Sequence, residues 1–71
     1  ASLHQSLVVN AASGRVTVSL DIVPDEDNPY AVLRATDDSD EPLAQVRVAP
    51  SFKLNRASAL AWIESQFARP R

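Results

Sequence analysis

Residues 15–23 read RVTVSLDIV, with Val16, Val18, Leu20 and Ile22 alternating against Arg15, Thr17, Ser19 and Asp21. Successive side chains on a strand point to opposite faces, so this stretch is a strand with one apolar and one polar side. Its β-branched residues suit a half-buried pleated surface. The rest of a short chain must then extend that sheet or cover its apolar side.

Three further stretches extend it. Leu3 to Ala11 alternates less cleanly: Leu7, Val9 and Ala11 face the core, while Val8 falls on the other side with Ser6 and Asn10. Residues 10–14 (NAASG) form the turn after it, and Gly14, the only glycine, supplies the positive φ that hairpin loops need. One glycine cannot build a phosphate-cradling loop. Pro24 and Pro29 bracket an acidic loop and stop strand pairing there. Tyr30 to Thr36 is the third strand, with Ala31, Leu33 and Ala35 on its core side. Two alanines on that side leave room for a helix to lie across them. After the acidic turn 37–42, Leu43 to Ala49 is the fourth strand, with Ala44, Val46 and Val48 inward. Pro50 ends or bends it, and Phe52 and Leu54 continue to point inward.

Asn55 has the chemistry of a helix N-cap, and residues 56–68 carry an alanine-rich helix free of internal proline or glycine. At 100° per residue, Leu60, Ile63 and Phe67 fall on one stripe, with Ala59 at its edge. Short connections favour an antiparallel meander, because parallel strands need long crossovers. The expected architecture is a single α+β domain over residues 1–71, a four-stranded antiparallel β-meander (ββββα) with one C-terminal helix packed on one face.

Seventy-one residues with no cysteine leave a small core and no disulfide or thiolate metal site to reinforce it. Association with another chain is the usual remaining aid, which favours a homodimer. No apolar run approaches the ~20 residues of a bilayer span, and no signal peptide is visible at the start. With no cysteine, a cytoplasmic chain is expected. Residues 1–40 hold two basic and seven acidic side chains, whereas residues 41–71 hold five basic and two acidic ones. The two halves are expected to attract each other, with Lys53 and Arg56 near Asp25, Glu26 and Asp27, and Arg69 and Arg71 near residues 37–41.

Catalysis has little to stand on. His4 is the only histidine and lies near a terminus, and a single sheet with one helix rarely makes a walled cleft. The acidic stretches 25–28 and 37–41 lie in turns at opposite ends of a meander, too far apart to share a cation, and they lack the length and glycine of an EF-hand loop. No enzyme, metal or cofactor is expected.

Two binding readings remain. Trp62 lies about 140° from Phe67 and 160° from Leu60 on the helical wheel, among polar residues that include Arg69. An exposed tryptophan there is a partner anchor, unless the N-terminal segment with Leu3 folds back over it. The first expectation is therefore a non-enzymatic protein–protein interaction module, homodimeric, with Trp62 and Arg69 at the contact. The second is single-stranded nucleic-acid binding by the outward sheet face, where Arg15, Arg34 and Arg47 would contact phosphates and Tyr30 a base. The strand-strand-strand-strand-helix order is similar to that of small single-stranded-DNA-binding coactivator domains, which work as dimers. The likeness is one of element order only; no sequence motif of those domains is matched.

Overall fold

The computed structural model describes residues 3–67. Strands β1 (Leu3–Ala11), β2 (Gly14–Val23), β3 (Tyr30–Thr36) and β4 (Pro42–Val48) precede helix α1 (Arg56–Phe67). The strands form one antiparallel sheet in the order β1-β2-β3-β4, so β1 and β4 are its two open edges. This is the expected ββββα meander, with β4 starting and ending one residue earlier than the alternation places it. Pro42 opens that strand opposite Thr36, beside an irregularity at Ala35/Thr36. A first strand position tolerates proline because no ladder donor is lost from the interior.

The turns follow from local chemistry. Ala11 pairs with Gly14 across the loop Ala12–Ser13, and Gly14 sits at φ 125°, where a side chain is strained. Asp25 Oδ1 accepts hydrogen bonds from the N–H groups of Asp27 and Asn28, at 3.1 and 3.3 Å. Asp37 Oδ1 accepts from Ser39 and Glu41, at 2.8 and 2.9 Å. The acidic stretches thus shape the loops that contain them, as Asp does when it mimics a backbone turn.

Val9, Val16, Val18, Leu20, Ala31, Leu33 and Ala35 form the buried side of the sheet. The register aligns them in cross-strand rows: Leu7, Val18, Ala35 and Ala44 in one, Gln5, Leu20, Leu33 and Val46 in the next. Phe52 and Leu54, in the segment after β4, pack against this cluster. Asn55 caps α1 reciprocally. Its Oδ1 accepts from the Ser58 N–H at 2.9 Å, and its own N–H donates to Ser58 Oγ at 3.0 Å. The helix starts near Gln5, Leu20 and Ile22 and ends near Ala11 to Ser13, so it runs in the same sense as β1.

The helix is turned from its expected angle. Ala59 and Ile63 are its buried residues, while Leu60 and Trp62 are half-buried on either side and Phe67 is 38% exposed. On the wheel the midline of the buried face is the Ala59–Ile63 edge, about 50° away from the Leu60–Ile63–Phe67 stripe. Ala59 carries only a methyl group, so the backbone can approach the sheet at that edge. Leu60 and Trp62 then stand about 80° to either side and reach down as flanks. The charge pairing expected between the two halves is not made as direct contacts among the described residues: no ion pair joins Lys53 or Arg56 to Asp25, Glu26 or Asp27. Asp25 is already engaged by the backbone, and exposed pairs gain too little to order long side chains. The pairing expected of Arg69 and Arg71 lies outside the described residues.

Two substitutions test this packing by chemical denaturation. Ala59→Leu, which overfills the close contact, should destabilise the domain by about 1–3 kcal/mol. Asn55→Ala, which removes the cap, should cost about 1 kcal/mol.

Candidate functional site on the sheet surface and its edges

The outward face is set by the same register that builds the core. Across the strands one row reads His4, Asp21, Val32, Arg47, and the next reads Ser6, Ser19, Arg34, Gln45. Tyr30 lies on the same face two residues before Val32. All four residues expected of a nucleic-acid surface are therefore on one side of the sheet, but they do not form one cluster. Arg34 and Arg47 are neighbours near the β4 edge. Arg15 opposes Asn10 at the β1–β2 hairpin, about 13 Å along β2 from the row that holds Arg34.

These groups are already engaged with one another. The Arg47 guanidinium lies 4.0 Å from the centroid of the Tyr30 ring. This is a diagonal cross-strand contact within reach of long side chains, and it covers one face of the ring. Arg34 Nε donates to Gln45 Oε1 at 3.1 Å. His4 Nδ1 meets Asp21 Oδ1 across a pair in the same register. That contact is a hydrogen bond, and both side chains are partly open to solvent. It occupies the carboxylate that shares the face with the arginines.

Trp62 does not stand free. It is half-buried and packs against the core cluster, so the expectation of an exposed tryptophan on a polar helix face is corrected. Leu3 does not cover it, being 62% exposed; Trp62 flanks the Ala59–Ile63 edge that faces the sheet. Arg69 lies outside the described residues.

The apolar surface that does reach solvent is at the edges. Val46, inward-facing on β4, is 38% exposed although its neighbour Leu33 in the same row is 1% exposed. Leu3 and Val8 on β1 are exposed as well. A hollow of about 430 Å³ opens at the end of β1, lined by Ala11, Ala12, Ser13, Ile63, Glu64 and Phe67. Reading the sequence alone misses Leu3 and Val46 as surface residues. The one available signal was Val8, which breaks the alternation of its strand. Among the described residues no three His, Cys, Asp or Glu side chains converge as a metal site would. No helix among them is long and apolar enough to cross a membrane.

Compared with protein-family models, curated proteins and solved structures, the chain matches none.

The Arg47–Tyr30 contact should be measurable as a coupling. A double-mutant cycle with Arg47→Ala and Tyr30→Ala, followed by urea unfolding, should give roughly 0.5–1 kcal/mol. A coupling of zero would mean that the guanidinium leaves the ring free in solution.

Proposed function

We propose that this domain is a small non-enzymatic protein–protein interaction module that works as a homodimer through an open edge of its sheet, in a regulatory or accessory role. The observation that carries this reading is that the apolar side of the sheet runs out to solvent at both edge strands, at Leu3 and at Val46. Unpaired strand edges bearing apolar side chains are templates for another strand, and closed two-fold pairing is the commonest way to cover them. A chain of 71 residues gains stability from such an association. Trp62 now supports the reading only indirectly, by holding the helix against the sheet.

A second reading, single-stranded nucleic-acid binding, keeps one specific support. Arg34 and Arg47 lie on adjacent strands of the outward face, and the acid sharing that face, Asp21, is occupied by His4. In this reading a base that stacks on the face covered by Arg47 displaces the guanidinium and frees it for a phosphate.

Sedimentation of the wild-type chain over a micromolar concentration series should reveal a dimer. A monomer at every concentration removes the module reading. Fluorescence anisotropy with a labelled oligonucleotide tests the second reading. Its expected signature is binding that weakens as salt rises and disappears in Arg34→Glu/Arg47→Glu.

A further inference from the structure

The two open edges of the sheet are not equivalent. β4 has seven residues, begins with Pro42, carries Arg47 and lies beside the irregularity at Ala35/Thr36. Proline, charge and bulges are the devices that keep a strand edge from pairing. β1 has none of them along the strand itself; α1 lies over its inward side and leaves its outer hydrogen-bonding groups unpaired among the described residues. The nine residues of β1, LHQSLVVNA, contain no Lys, Arg, Asp, Glu or Pro, and its register with β2 runs unbroken from Leu3 to Ala11.

The backbone of β1 is also correctly phased for a further strand. Ala11 and Gly14 close the two-residue loop and so form a hydrogen-bonded pair. Alternation then assigns the amides of the odd-numbered residues of β1 to β2. His4, Ser6, Val8 and Asn10 direct their N–H and C=O groups to the open edge.

A two-fold axis through Leu7 matches this strand to itself along its whole length. It sets Leu3 opposite Ala11 of the second copy, His4 opposite Asn10, Gln5 opposite Val9 and Ser6 opposite Val8. Every pair joins inward with inward or outward with outward, so the apolar side continues across the junction. The pairs that exchange hydrogen bonds are His4–Asn10 and Ser6–Val8, whose amides are the free ones. No like charges meet along the strand. The same axis places the exposed Leu3 of one copy beside Ala11 of the other, next to the hollow lined by Ala11, Ile63 and Phe67.

We propose that a second copy of this chain pairs antiparallel along β1, about an axis through Leu7, and that Leu3 of each copy seats in the hollow beside Ala11 and Phe67 of the other. The proposal rests on the homodimer reading above and specifies its interface. The dimer is then a continuous eight-stranded sheet whose ends are the two guarded β4 edges, with the two α1 helices, each closest to its own β1, side by side across the axis.

The test uses the full chain, which has no natural cysteine. In Leu7→Cys the two thiols face each other across the axis, so mild oxidation should give a covalent dimer. Gln5→Cys, set opposite Val9, and Val46→Cys, on β4, should cross-link at least tenfold more slowly. Leu3→Glu alters a side chain that is exposed in the single subunit, so its circular dichroism should match wild type. It should nevertheless weaken dimerisation roughly tenfold or more in sedimentation. A dimer that survives Leu3→Glu unchanged, or cross-links fastest at Val46→Cys, overturns this interface while leaving the homodimer reading intact. A wild-type chain that sediments only as a monomer overturns both.

Discussion

The contact between the Ala59–Ile63 edge of α1 and the buried side of the sheet holds the domain together. Val18, Leu20, Leu33 and the two β3 alanines present a surface that is large in the middle and small along one strand. The helix comes closest to the sheet at β1, and the methyl-sized Ala59 on its buried edge lets the two backbones approach there. Interiors packed to this density transmit shape, so one methyl-sized position fixes the rotation of the whole helix. The flanking places of Leu60 and Trp62 and the surface position of Phe67 all follow from it.

That rotation also determines what the surface can offer. With Trp62 drawn against the core, the polar side of the helix carries no large anchor among the described residues. The remaining apolar surface is displaced to the margins, where the sheet extends past its cover. Two edge strands with different chemistry result. One is guarded by proline, arginine and an irregular register, and the other is uncharged and regular. The outward face shows how near-neighbour contacts blunt an apparent binding surface. Arg47 is drawn onto Tyr30 and Arg34 onto Gln45, so two of the three arginines are tied to partners within the sheet.

Much of this was legible in the residues themselves. Period-two alternation in 15–23 and 30–36 assigned each side chain to a face, and the register reproduces that assignment position by position. Asn55 announced the helix start because its side chain can reach a first-turn N–H, and it does. The acidic stretches were readable as turns because Asp carries an acceptor at the correct distance from the following amides. The angle of the helix was not readable, because a wheel weighs side chains by hydrophobicity, whereas packing also rewards the absence of bulk at Ala59. The expected ion pairs of Lys53 and Arg56 failed for a related reason. Proximity of opposite charge does not create a contact when solvent competes and backbone donors already hold the acid.

Strand sidedness, turn positions and the helix cap were determined by the sequence alone, since each depends on a residue and its neighbours within a few positions. Only the tertiary structure decided which strands are edges, how α1 is rotated, and which apolar side chains are left in water. Those outcomes depend on the fit of surfaces far apart in the chain, where a single alanine can outweigh a tryptophan.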